Sequence, residues 1–195
     1  IVSARGKTTE MLLEDARKYA PKGNPREFDM LLTTGERASA AIVAMALSSK
    51  GIKSISLTGS QAGIITDDKH TNARIVEVRP HRVVDALNDG NVVVIGGFQG
   101  VSFKKEVTTL GRGGSDTTAV AIAASLEAHK CEIFSDVDGV YSADPAIIPE
   151  AELLEEVSYQ EMQELSEAGA KVLHSRAVEF AKSKGIEIHC KNTFA

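Results

Sequence analysis

The chain has 195 residues, of which 43% are hydrophobic and 25% charged, a balance that supports a globular core and excludes a disordered tail or a fibre. Lys plus Arg total 22 against 27 Asp plus Glu, a formal charge of −5, and there is no Trp; this excludes a general basic, base-stacking nucleic-acid binder, so positive charge for an anionic ligand has to be local. The longest unbroken apolar run, Ala40 to Leu47, is far shorter than the roughly 20 residues of a membrane span, and two cysteines, Cys131 and Cys190, build neither a disulfide framework nor a zinc spacing, so a reducing cytoplasm is the expected compartment.

The chain opens on Ile1-Val2-Ser3 without Met, which reads as the end of a strand and as a fragment trimmed at its N-terminus. Thr8 to Tyr19 has helical spacing through Met11, Leu12, Asp15 and Tyr19, and Pro21 to Pro25 is a loop by its Pro, Gly and Asn content. Apolar residues recur at three and four from about Arg26 to Lys50, predicting a long helix that Gly51 ends. Strands are expected around Ile52 to Leu57 and Ile75 to Val78, then a short helix over Arg82 to Leu87. Val92 to Ile95 is a continuous apolar run, the pattern of a strand buried on both faces of a parallel sheet. A helix of small residues over Ala119 to Leu126, a strand over Cys131 to Phe134, a helix over Val172 to Lys184 and a strand over Ile186 to His189 complete the chain. Ser158 and Glu161 fit a capping box within an acidic, solvated stretch. The alternation predicts one α/β domain over residues 1–195, a three-layer sandwich with a mainly parallel central sheet.

The segment richest in chemistry is Thr108 to Ala119. Gly111, Gly113 and Gly114 allow close approach of a ligand to the backbone. Arg112 offers a planar fork for a carboxylate or phosphate, and Ser115 or Asp116 is expected to cap a helix whose N-terminus favours anions. Arg5-Gly6-Lys7-Thr8-Thr9 resembles the end of a phosphate-binding loop but lacks its first glycine, where Ile1 stands; it is either an anion site or a tight turn with Thr8 as cap. Thr58 to Gly63 and Gly96 to Gly100 are glycine-bearing turns after strands, each a ligand loop or an ordinary turn. Ser135 to Tyr141 lacks the later ligands of a calcium loop, leaving a nucleotide pocket or a polar strand-end loop. Gly169 to His174 reads as the opening of a helix, where Lys171 either reaches a phosphate or lies on the surface.

Together, Val2–Thr9, Leu32-Thr33-Thr34-Gly35-Glu36-Arg37, Leu57–Thr66, Gly111–Ala119, Ser135–Tyr141 and Gly169–His174 resemble, in order and over nearly the whole chain, the aspartokinases of the amino-acid kinase family. The resemblance implies transfer of the γ-phosphoryl group of ATP to the side-chain carboxylate of L-aspartate, with Mg²⁺ carried mainly by the ATP phosphates. It implies aspartate contacts from Ser3, Thr9, Glu36, Arg112, Gly113, Gly114 and Ser115, with Glu36 on the ammonium and Arg112 on the α-carboxylate. Asp116 and Lys7 would organise the site, and Ser135, Asp136, Tyr141, Lys171 and Val172 would contact the nucleotide. It further implies a homodimer whose full-length parent carries ACT regulatory domains, with no membrane or nucleic-acid partner. The lysine-bearing first-strand segment of such kinases is missing before Ser3, and Ala146 stands where an arginine is usual; a sibling kinase and a non-catalytic module that binds nucleotide or aspartate are therefore the alternatives.

Overall fold

Asn24 and Pro25 show how local chemistry starts the longest element. The Asn24 side chain accepts a hydrogen bond from the Arg26 amide at 3.0 Å, and Pro25 occupies the first helical turn, where no intrahelical N–H is needed. A computed structural model describes residues 1–170 and 172–194. It contains α1 (Thr8–Tyr19), α2 (Pro25–Ser49), β1 (Ser54–Leu57), β2 (Ile64–Thr66), β3 (Ile75–Val78), α3 (His81–Asn88) and β4 (Val92–Ile95). There follow β5 (Gln99–Ser102), β6 (Val107–Thr109), α4 (Gly114–Ser125), β7 (Lys130–Ser135), α5 (Tyr159–Glu167), α6 (Ser175–Lys184) and β8 (Glu187–Asn192).

The parallel centre forms from β1 and β4, with Val2 bridged in parallel to Gly96 at the strand end. Alternation along β4 sends Val94 to one side, against Ala40 and Ala44 of α2. Ile95 points to the other side, into a cluster with Leu57, Ile64, Val83 of α3 and Ile122 of α4. Helices thus cover both faces, as the α/β pattern requires. Helix α4 has no wet side: Val120, Ala121, Ile122 and Ala123 are all buried, and its Val120 and Ala123 join Cys131, Ala177, Ala181 and Ile186 in a second core beneath the parallel β7–β8 pair.

A four-stranded mixed sheet, β3-β2-β5-β6, completes the fold. β2, β5 and β6 were not legible as strands. Gly100 in β5 is there for contact: a Cβ on it would stand 2.6 Å from Thr66 Cγ2. Buried Thr66 and Thr108 satisfy one another through their hydroxyls at 2.7 Å, so polar residues occupy positions where a sequence reading looks for apolar ones.

Several expectations are corrected. Val92 is 45% exposed, so β4 is buried on both faces only from Val94 onward. α1 has the expected limits, but Met11 and Tyr19 point outward; it rests on α2 through Thr8 and Leu12, which with Ala4 before the helix crowd Gly35. The last helix begins at Ser175, not Val172, because His174 is its N-cap and accepts from the Arg176 amide at 3.3 Å; Gly169–His174 therefore precedes the helix. The capping box of Ser158 and Glu161 is present. α2 is long and apolar enough to cross a bilayer by length and composition, unlike its short apolar run taken alone. Its buried face nevertheless carries Asp29, Thr33, Glu36 and Ser39, which suits a core helix.

Leu57→Ala is expected to lower unfolding free energy by about 2–5 kcal/mol in urea denaturation, because it empties the central cluster, whereas Ser158→Ala at the α5 cap costs only about 1 kcal/mol.

Candidate functional site

The carboxyl end of the Val2 segment, the start of α1, the middle of α2 and the turn before α4 converge on a cavity of about 470 Å³. Ser3, Ala4, Thr9, Leu13, Leu32, Glu36, Phe98 and residues 111–116 line it. The residues implied for the amino-acid substrate, Ser3, Thr9, Glu36, Arg112, Gly113, Gly114 and Ser115, are therefore together in one place, with the organising candidate Asp116 beside them. Lys7 is not among the lining residues; it is the exposed N-cap of α1.

The turn into α4 is shaped by left-handed glycines, Gly111 at φ 78° and Gly113 at φ 64°. Gly113 is the N-cap, and no side chain caps the helix. This corrects the expectation that Ser115 or Asp116 caps it: both already lie in the first turn. Among the described residues, the Ser115 and Asp116 amides have no backbone partner, which leaves donors at the positive end of the helix dipole beside the cavity. A Cβ on Gly113 would overlap His174, at 2.1 Å from its Cβ, so glycine serves contact as well as conformation. Ser3 Oγ donates to Ser115 Oγ at 2.9 Å, joining the two loops that form the rim.

Glu36 supplies the main electrostatic tension. The residue is 3% exposed. Its Oε1 accepts from the Ala4 amide at 3.2 Å, while Oε2 is buried without a partner. Desolvation raises its pKa above the usual glutamate value, and backbone hydrogen bonds from its own amide and that of Ala4 only partly oppose this. Asp116 is likewise raised by desolvation, with the nearby His174 pulling in the opposite direction. Arg112 is exposed at the mouth. A carboxylate with one free oxygen inside, free amides and a guanidinium at the rim together complement a molecule carrying an ammonium and carboxylates.

The sequence reading missed the apolar wall of Leu13, Leu32 and Phe98. Leu13 and Leu32 could have been found from their helical spacing to Thr9 and Glu36; nothing marks Phe98, whose φ of 66° turns its ring over Gly114. The Thr58–Gly63 turn proves to be self-contained: the Thr58 amide donates to Gln61 Oε1 at 3.0 Å and the Gln61 amide to Thr58 Oγ1 at 3.2 Å.

The four described residues implied for the nucleotide lie outside this cavity. Ser135 ends β7, and its carbonyl accepts from the Thr193 amide and hydroxyl at 2.8 and 2.9 Å. Asp136 is exposed, Val172 half-buried, and Tyr141 donates from its hydroxyl to Asp138 at 3.1 Å. Lys171 lies outside the described residues. A second cavity of about 710 Å³ runs beside β8, lined by Asp138–Val140, residues 153–157 and residues 187–191 among others; none of the four described nucleotide candidates lines it. Among the described residues no group of three His, Cys, Asp or Glu is placed to hold a metal ion, so these side chains do not form a resident metal site.

Comparison with known proteins gives a consistent answer. The profile of the amino acid kinase family matches residues 1–192. The aspartokinase of Mycolicibacterium smegmatis is 55% identical over 196 residues, which cover 100% of this chain and 47% of that protein. The crystal structure of aspartate kinase from Synechocystis superposes with a TM-score of 0.87 at 47% identity, covering 100% of this chain and 32% of that one. Escherichia coli aspartokinase III in complex with aspartate and ADP matches with a TM-score of 0.83 at 29% identity, over 97% of this chain and 45% of that one. The chain thus spans about half the length of the curated relatives it matches.

The raised Glu36 pKa has a testable sign. A carboxyl that holds its proton more tightly when folded contributes stability below the unfolded pKa and loses it as pH rises through the folded pKa. Glu36→Gln is therefore expected to melt a few degrees higher than the parent at pH 7, with the gain vanishing below the ordinary carboxylate range; thermal melts across pH without ligand check this.

Proposed function

Because the chain belongs to the amino acid kinase family, we propose that it is the kinase domain of an aspartate kinase, transferring the γ-phosphoryl group of ATP to the side-chain carboxylate of L-aspartate to give 4-phospho-L-aspartate. The observation that carries this reading is the cavity that sets Glu36, with its unpartnered Oε2, against free amides of α4 and the Arg112 rim. Aspartokinases at 50–55% identity over nearly the whole chain support it.

The chemistry suits such a site. The nucleophile is a carboxylate with an ordinary pKa of about 3.9, already ionised at neutral pH, so no general base is needed. The obstacle is bringing an anion up to a polyphosphate, and catalysis rests on in-line positioning and fixed positive charge. Glu36 takes the substrate ammonium, whose charge offsets the cost of burying that carboxylate. Arg112 and the Ser115 and Asp116 amides take the α-carboxylate, with Ser3 and Thr9 at the rim. The side-chain carboxylate is then left free to face the nucleotide. Asp116 and Lys7 organise the surroundings.

In this reading Ser135, Asp136, Tyr141, Lys171 and Val172 contact ATP. Mg²⁺ would be held mainly by the nucleotide phosphates and would supply charge neutralisation there. The domain serves lysine, threonine and methionine synthesis in the cytoplasm, within a homodimer whose longer chains carry ACT regulatory domains. The greater length of the relatives supports that last point.

The test is a hydroxamate assay on the full-length protein with L-aspartate and MgATP. Acyl phosphate is expected; no product under conditions in which the protein is folded and binds both ligands would point instead to a non-catalytic binding module. Arg112→Ala is expected to raise the aspartate KM more than tenfold, about 1.4 kcal/mol or more, with the ATP KM little changed; an unaltered aspartate KM would remove Arg112 from the site.

A further inference from the structure

Away from the cavity, the most heavily used polar side chain in the molecule is Asp29. It is fully buried, and both of its oxygens are engaged. Oδ1 accepts from the Thr109 hydroxyl at 2.6 Å and the Thr71 amide at 3.0 Å. Oδ2 accepts from the same amide at 3.1 Å and pairs with His70 Nδ1 at 2.7 Å. Thr109 and Thr71 both direct donors at its oxygens.

What these partners support is the substrate turn. Thr71 stands in the left-handed region at φ 63°, a backbone state that a threonine adopts only when its surroundings hold it there. The Ala73 amide donates to the Thr109 carbonyl at 2.8 Å, closing the 70–73 loop onto the end of β6. Leu110 follows that strand end and then Gly111, whose Cα faces Asn72 and the Thr71 carbonyl so closely that a Cβ would meet them at 3.0 and 3.3 Å. The 70–73 loop is therefore the floor on which the Gly111–Arg112 turn sits.

Asp29 also stands seven residues before Glu36 on α2, two turns away on the same face, with the cavity-lining Leu32 between them. One rigid helix carries both carboxylates: Glu36 enters the cavity, and Asp29 grips the strand and loop that carry Arg112. We propose that Asp29, through Thr109, Thr71 and His70, is a positioning residue that sets the separation between Glu36 and Arg112, and so the fit to the ammonium and α-carboxylate of the amino-acid substrate. This rests on the assignment of those two residues given under Proposed function.

The proposal separates recognition of the amino acid from recognition of the nucleotide, and this is what distinguishes it from a purely structural role. The test compares Thr109→Val, which keeps shape but removes the hydroxyl donor to Asp29, with Thr109→Ser, which keeps the donor. Both are measured in the full-length protein by steady-state kinetics and by calorimetric titration with L-aspartate. Thr109→Val is expected to raise the aspartate KM and Kd about tenfold, with kcat and the ATP KM within about twofold, and Thr109→Ser to restore aspartate affinity to within about threefold of the parent. A fall in kcat with unchanged aspartate affinity, or a serine variant no better than valine, overturns the proposal. Should Thr109→Val fail to fold, His70→Ala reads the same parameter from a side chain that is 21% exposed; a several-fold rise in aspartate KM alone supports the proposal, and an unchanged value overturns it. Parent protein that neither binds nor turns over aspartate removes the functional reading and this proposal with it, whereas active parent with unaltered variants removes this proposal alone.

Discussion

Glu36 carries one oxygen that none of the described residues satisfies. Leaving a charged oxygen out of water without a partner costs free energy that the rest of the domain must supply. The helix around it is built for this: α2 is long, starts on an Asn-Pro cap, and is fixed by Ala40 and Ala44 against β4. A cationic group entering the cavity meets a carboxylate that is already dehydrated and oriented, so little reorganisation is left to binding. The cost in the free protein and the affinity for an ammonium proposed for this cavity would thus have the same origin.

Around that residue, close approach is achieved by removing side chains. Gly97 lies against Ser115, Gly113 against His174, Gly114 beneath Phe98 and Gly111 on Asn72. In each case a Cβ would stand within about 3 Å of a neighbour, and the native interior has no slack of that size. The turn that holds Arg112 is consequently enclosed by packing on several sides, while Arg112 itself reaches outward. Rigid backbone with an exposed charged tip suits the proposed grip on a carboxylate that is not completely enclosed.

How much of this the sequence reveals depends on which force decides each element. Where periodicity and punctuation decide, the reading is close. α1 matches in both limits, α2 within a residue at each end, and the capping box at Ser158 is in place. Where tertiary contact decides, the reading fails: β5 and β6 are made of Gln, Gly, Ser and Thr that pair with one another inside the fold, and α4 starts on left-handed Gly113 because His174 occupies the space beside it. The charged and glycine residues of the site were legible because their chemistry is unusual. Phe98, Leu13 and Leu32 were not, since an apolar wall looks like ordinary core until the chain is folded, and Asp29 looks like any helix carboxylate until Thr109 and Thr71 arrive from far along the sequence.

Helix α4 touches both hydrophobic centres, through Ile122 on one side and Val120 and Ala123 on the other. Such a spindle has no face on which a mutation could hide. Any bulkier residue along it would push the two halves of the molecule apart and displace the turn at its head. Evolutionary drift along this helix is accordingly confined to swaps that conserve volume, and novelty in what the domain grips has to be written into the turns at its ends.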